Sequence, residues 1–369
     1  MSFGSDFDIE ALPPGKKGFI QGAGDFLAGE LKILGEIGME GMNPTMRETI
    51  SRVEVVLTAD DKSIAWTEAG QSRLSVSAPR LFLLFELIHR LLPGVELSPD
   101  TGAQPTPPPP QHRRLGEATC WTAPDLLAAQ GRYDVIETFK VAELFVLYHE
   151  VCHLVRGHDG ADRDRLAEVL EPQRHSVAAD RLLTSRELVR KFFELDADNQ
   201  AAAFTMQRLS AGPISYDAEG RLLQRSLAES MRLVHAGLCA LFIVEDMRLS
   251  SGRSPETLYT VEESKSTIYP HPFVRWLNVT VFASLAQRKW VERWKLGLDG
   301  NALVGSTQPP LDELGAMAAR LGLPEQRWQL SPQQREVIAR DGLWHIALYD
   351  KLLSLFTDHL QPWNQTAGI

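Results

Sequence analysis

The sequence predicts an α+β protein dominated by helices, with a small β-sheet on the N-terminal side and a helical C-terminal part. Three observations predict it. Strand-like segments are confined to residues 52–77. Apolar residues recur at helical spacing over most of the chain beyond them. One such helical run, Thr138 to Arg156, carries His149-Glu150-Val-Cys-His153 on an otherwise apolar stripe.

At 369 residues the chain is long enough for one large domain with appendages or two modest ones. The expected organisation is a Gly-rich N-terminal extension (1–45), a main domain (46–295) with a Pro-rich insertion near 99–119, and a helical C-terminal region (296–369). Residues 1–45 contain eight glycines between Gly15 and Gly41, and this segment reads as an irregular extension. Gly22-x-Gly24 lacks the third glycine of a dinucleotide fingerprint, and no phosphate-loop Gly-Lys-Ser/Thr occurs.

Arg52–Thr58 is β-branched, Asp60-Asp61-Lys62 offers a turn, and Ser63–Glu68 and Arg73–Ser77 return as two further strands. Pro79 opens a helix running to Leu92. Residues 99–119, with the run Pro107 to Pro110, are a loop or linker of extended character, and Cys120 follows it. The helix over 138–156 has no Pro or Gly until Gly157, a natural stop. Ser185–Leu209, Gln224–Leu249, Pro272–Trp290, Pro310–Leu321 and Pro332–Leu360 complete the predicted helices.

A hydrophobic content of 44% and a charged content of 23% are those of an ordinary globular protein. The net charge of −10 argues against a general nucleic-acid binder, whose phosphate contacts need clustered Lys and Arg. No apolar run reaches the ~18 residues of a membrane span. The acidic start lacks the pattern of a signal peptide, and three cysteines give no disulfide framework. A cytoplasmic location is the expectation.

The chemistry lies in residues 149–153. Two histidines four apart on a helix share a face about one turn, or roughly 6 Å, apart, so both rings can reach one zinc ion. Glu150, beside the first histidine, is placed to serve a metal-bound water. A catalytic zinc needs a third protein ligand, and three candidates lie downstream: Glu194, His158 and Asp159. Asp159 falls ten residues after His149, where another large metallopeptidase group places its third ligand, but that group also needs a glycine seven after the first histidine, where Arg156 stands here. His158 just past the helix end reads as a solvated residue near the helix dipole. Glu194 shares a face of the 185–209 helix with Asp198, which can accept the second ring N–H of a ligating histidine. Glu194 is therefore the choice.

The pairing of His149-Glu150-x-x-His153 with Glu194-x-x-Ala197-Asp198 resembles the gluzincin zinc metallopeptidases, most closely the CAAX prenyl endopeptidases and their bacterial heat-shock relatives. Those relatives carry membrane helices that this sequence lacks, which makes a soluble member similar to the phage-exclusion protease group the better fit. The resemblance implies a zincin-like fold with His149, His153 and Glu194 as zinc ligands and Glu150 as general base. It also draws attention to His271-Pro272 and Arg275, because that family often carries a His-Pro near such a helix.

The function expected is hydrolysis of peptide bonds in a cytoplasmic protein, with His271 as the oxyanion donor and Arg275 as a substrate-binding residue. Narrow specificity, autoinhibition or control by an activating or inhibiting partner is expected of such a protease. The alternative is a zinc-binding regulatory or interaction protein whose site does not turn over. An edge strand of the sheet would hold an extended peptide substrate by main-chain hydrogen bonds.

Overall fold

A computed structural model describes residues 2–3, 7–12, 14–38, 42–60, 63–67, 72–92, 133–158, 163–177, 183–211, 214, 227–250, 268, 274–283 and 332–359. The Pro-rich stretch, Cys120, Asp159, His271-Pro272 and the helix expected over Pro310–Leu321 lie outside these residues.

The architecture is a helix-dominated α+β arrangement around a four-stranded mixed sheet. Strands β1 (Ser2–Phe3), β2 (Glu54–Thr58), β3 (Ala65–Thr67) and β4 (Arg73–Ser77) lie in the order β1-β2-β4-β3. The β1–β2 and β2–β4 pairs are parallel and β3 is antiparallel to β4, pairing Ala65 with Val76 and Thr67 with Leu74. Val55, Val56, Leu57 and Thr58 are all buried, as expected of an inner strand covered on both faces. Of the three strands expected between 52 and 77, β4 has the expected bounds, while β2 and β3 are shorter by two and three residues.

Helix α1 (Pro14–Glu36) overturns the expectation of an irregular N-terminal extension. It contains six glycines, each worth about 1 kcal/mol of lost helix propensity relative to alanine. Burial outweighs them: Phe19, Ile20, Ala23, Leu27, Leu31 and Leu34 recur on one face and are sunk in the core. The Phe19 ring lies 4.6 Å from Phe85 and 5.1 Å from Phe139, tying this helix to the two helices that carry those rings. Glu30 accepts from Arg208 Nε and Nη2 at 2.8 and 2.9 Å, a partly buried ion pair that locks α1 onto a later helix.

Helices α2 (Pro44–Ser51) and α3 (Ala78–Leu91) each start with proline in the first turn and a capping side chain. Asn43 Oδ1 accepts from Met46 N at 2.9 Å, and Ser77 Oγ accepts from Arg80 N at 3.3 Å.

At the centre lies α4 (Tyr133–Val155), one turn longer at its start than the periodicity predicts. It is buried nearly all round, from Val135 to Val155, as a helix with apolar residues on every face must be. Gly157 at φ 71° ends it in the left-handed conformation that favours glycine. Against it pack α6 (Ser185–Ala211) and α7 (Leu227–Ser250); α5 (Arg163–Leu170) and α9 (Pro332–Phe356) pack on α6, which α8 (274–283) reaches through Arg275 and Asp198. The crossing of α7 over α4 is close: a Cβ on Gly237 would meet Thr138 O at 2.9 Å, so only glycine fits there. Among the described residues no helix is long and apolar enough to cross a membrane.

Candidate metal centre

Helix α4 presents His149, Glu150 and His153 toward α6 and the edge strand β3, while its other faces are held in the core. Helix α6 brings Glu194 to the same point. The ligand-capable atoms of His149, His153 and Glu194 lie within 4.8 Å of one another. His149 Nε2 is 3.2 Å from His153 Nε2, and Glu194 Oε2 is 3.5 and 3.9 Å from the two rings. Bonds of about 2.0–2.1 Å in tetrahedral directions put ligand atoms about 3.3–3.4 Å apart, so the observed spacings bracket those of a zinc site.

Supporting side chains fix how these rings are turned. His149 Nδ1 lies 2.9 Å from Asp198 Oδ1, at an angle short of a fully formed hydrogen bond. Asp198 is itself gripped by Arg275, whose Nε and Nη2 donate at 2.8 and 2.7 Å. His153 Nδ1 lies 3.0 Å from His158 Nδ1, and His158 Nε2 lies 3.1 Å from Asp196 Oδ2. Asp196 also accepts from Arg156 Nε at 2.8 Å and from Tyr349 Oη at 2.8 Å.

One assignment of tautomers satisfies every outer contact. His149 and His153 carry their protons on Nδ1, and His158 accepts from His153 while donating from Nε2 to Asp196. The two Nε2 lone pairs and the Glu194 carboxylate then face one another with no donor among them. Three converging acceptors in a buried cleft are what a cation satisfies, and the donor set of two imidazoles and one carboxylate fits zinc.

The protein alone would hold a proton there instead. Burial depresses His149, but hydrogen bonding to Asp198 and Glu194 outweighs it and lifts its pKa to about 10. Burial and the neighbouring His149 push His153 down to about 3. Burial would raise Glu194, yet the hydrogen bond from His149 and the charges of the two histidines hold it at about 2. Burial likewise opposes ionisation of Asp196 and Asp198, but Arg156 and Arg275 respectively keep both well below the usual carboxylate range.

Glu150 accepts at Oε2 from Thr67 N at 3.0 Å and, more weakly, from Thr67 Oγ1 at 3.4 Å. The Glu150 carboxylate is thus tied to β3, which with the preceding Ser63 and Ile64 forms one wall of a cleft of about 420 Å³ over His149, His153 and Glu194.

Of the residues expected from sequence, His149, Glu150, His153, Glu194 and Asp198 converge here. His158 is not a solvated helix-end residue: it is fully buried, stacked on Phe193 at 4.4 Å, and reaches His153 rather than the metal position. Arg275, expected to hold substrate, sits on the cleft wall with Nε and Nη2 bonded to Asp198. His271 falls outside the described residues. Sequence reasoning missed Thr67, Asp196, Arg156 and Tyr349. Asp196 stands two residues from Asp198 and hence on the far side of the helix, and Tyr349 Oη reaches Asp196 from 153 positions away.

A search of protein-family models, curated proteins and solved structures finds no match to this chain.

Proposed function

We propose that this protein is a zinc-dependent endopeptidase with a zincin-like catalytic domain. The observation that carries the reading is the convergence of His149, His153 and Glu194 beside a glutamate held against an edge strand. A helix with an accidental His-Glu-x-x-His pattern would have no reason to find a third ligand and a separate support for each imidazole.

His149, His153 and Glu194 would hold the ion, and zinc supplies Lewis acidity to the scissile carbonyl and acidifies water near neutral pH. Asp198 and His158 keep the two imidazoles in the tautomer that presents Nε2. Glu150 accepts the proton of the attacking water through its carboxylate, as the hydroxyl portion adds to the carbonyl carbon. The same carboxyl group then delivers that proton to the amine nitrogen as the C–N bond breaks, so its ionised state is restored. Thr67 N–H holds Oε2 and so limits where the carboxylate can swing. An extended substrate laid along β3 would bring its carbonyl over this position.

The test is metal content and peptide-library cleavage of wild type beside Glu150→Gln and Glu194→Ala. One zinc per chain, retained in Glu150→Gln with cleavage abolished and lost in Glu194→Ala, is the expected result. Zinc binding without cleavage of any peptide would favour a regulatory zinc protein, and wild type without zinc after resupply would end the reading.

A further inference from the structure

The two ends of the cleft differ in chemistry, and the difference runs along the axis of α4. At the His149 end the walls are aromatic. The Phe145 ring lies 6.4 Å from His149 and 6.1 Å from Phe242. Arg275 is at this end, 5.3 Å over Phe242, but Asp198 balances its charge. Glu245, one turn beyond Leu241 on α7, adds a negative group to the same side.

At the His153 end the walls are cationic. Phe193 stacks on His158, and the Arg163 guanidinium lies 5.9 Å over that Phe193 ring. Arg190 lines the cleft from one turn before Glu194 on α6. Both arginines are exposed. Among the described residues, Asp164 pairs with Arg186 at 2.7 Å, and Glu187 accepts from Thr184 N and Oγ1 at 2.8 and 2.7 Å. Glu187 lies close enough to feel the charge of Arg190 without forming an ion pair with it. Among the described residues neither Arg163 nor Arg190 has a carboxylate partner. In a chain of net charge −10 this is a local reversal of sign, located beside the metal ligands.

The edge strand spans both ends. Ser77 N donates to Ile64 O at 2.8 Å, so alternation turns the backbone groups of Ile64 and Trp66 toward β4. Those of Ala65 and Thr67 point the other way, into the cleft, where Glu150 already takes the Thr67 N–H. Ala65 therefore offers an N–H and a C=O to an extended peptide passing over the metal position.

Resting on the peptidase reading above, we propose that the cleft selects peptides with a carboxylate on the His153 side of the scissile bond. Arg163 and Arg190 read that carboxylate, and an apolar residue sits against Phe145 and Phe242 on the other side. Two guanidinium forks suit a carboxylate's paired oxygens, while Glu245 repels the same group from the wrong end. The carboxylate is that of an internal Asp or Glu or of a free chain terminus.

The experiment measures peptide binding to zinc-loaded Glu150→Gln protein, in which turnover does not interfere. The peptides share one apolar anchor and differ only at flanking positions in Glu, Gln or Lys, each with a free or amidated C-terminus. Peptides that carry the recognised carboxylate, as a Glu side chain or as a free terminus, should bind about tenfold more tightly than those that lack it, with the advantage shrinking at high salt. The charge-reversed Arg163→Glu/Arg190→Glu protein, in the same background and with zinc content unchanged, should prefer Lys. A Glu advantage that persists after amidation assigns the carboxylate to an internal Asp or Glu, whereas binding that ignores the side chain but weakens about tenfold on amidation assigns it to the chain terminus. Binding indifferent to both the side chain and amidation, absence of binding by any peptide, or a carboxylate preference that survives the charge reversal would overturn the proposal. Failure of the peptidase reading is seen separately, as wild type that binds no zinc or cleaves nothing.

Discussion

Thr67 and Glu150, 83 positions apart in sequence, meet through a 3.0 Å hydrogen bond from the Thr67 main-chain N–H to Glu150 Oε2. This joins the strand that would bind substrate to the carboxylate that would move the proton. Because the donor is main chain, Thr67→Val keeps this bond while removing the 3.4 Å hydroxyl contact, and should change cleavage little. Glu150→Gln keeps shape and zinc but cannot accept a proton, and a loss of about 10²–10⁴-fold in kcat is expected. Steady-state rates of the two variants at equal zinc content check this pair.

His158 is the side chain through which His153 is oriented, so its substitution should appear in metal affinity before anything else. His158→Phe keeps the stacking on Phe193 and removes both nitrogen contacts; zinc binding should weaken about 10–100-fold. His158→Gln retains one acceptor and one donor and should recover part of the loss. Tyr349→Phe removes one of the donors to Asp196 and should cost less than His158→Phe. Competition with a chelator, alongside the absorption spectrum of the cobalt-substituted proteins, measures all three. Unchanged affinity in His158→Phe would reduce His158 to a packing residue.

Asp198 and Arg275 form a buried bidentate pair, with side-chain exposures of 3% and 13%. Removing one partner strands the other charge. Asp198→Leu should destabilise the metal-free protein by about 3–5 kcal/mol, and a double variant Asp198→Leu/Arg275→Met should recover much of that. Chemical denaturation of the three proteins without metal gives the cycle; an additive double variant would mean the two residues do not act as a pair.

His235, on α7, is 2% exposed, and burial lowers its pKa to about 4 from 6.5. It is neutral when folded and takes a proton more readily when unfolded. The sign follows: stability is full above about pH 6.5 and falls as pH drops toward 4, because the unfolded chain binds the extra proton. The expected contribution is about 3 kcal/mol across that window. In His235→Leu this part of the acid limb should be absent, seen as a flatter difference from wild type in denaturation between pH 7 and 4.

Helix α1 is part of the core, so truncations on its buried face should behave as core substitutions. Phe19→Ala, which deletes a ring packed on Phe82, Phe85 and Phe139, should cost about 3–5 kcal/mol. A value below about 1 kcal/mol from equilibrium unfolding would return the N-terminal segment to the status of an appendage.

The centre of the candidate site and the elements that carry it could be read from local sequence. His149, Glu150 and His153 are close in sequence, and a four-residue spacing on a helix has one geometric meaning. Glu194 and Asp198 were legible for the same reason, and β-branched alternation between 52 and 77 marked the strands around β3. Such signals survive because they are local: helix and strand periods fix which neighbours share a face. Tertiary structure decided the rest. Six glycines made α1 look irregular, because propensity is local while the burial of Phe19, Leu27 and Leu31 that outweighs it is not. His158 looked solvated from its place past a helix end, but the left-handed turn at Gly157 folds it back under His153, against Phe193 and Asp196. Thr67, Tyr349, Arg163 and Arg190 have no motif to mark them. Their contributions depend on which strand becomes the edge and which helices close around α4, and those are properties of packing between distant segments.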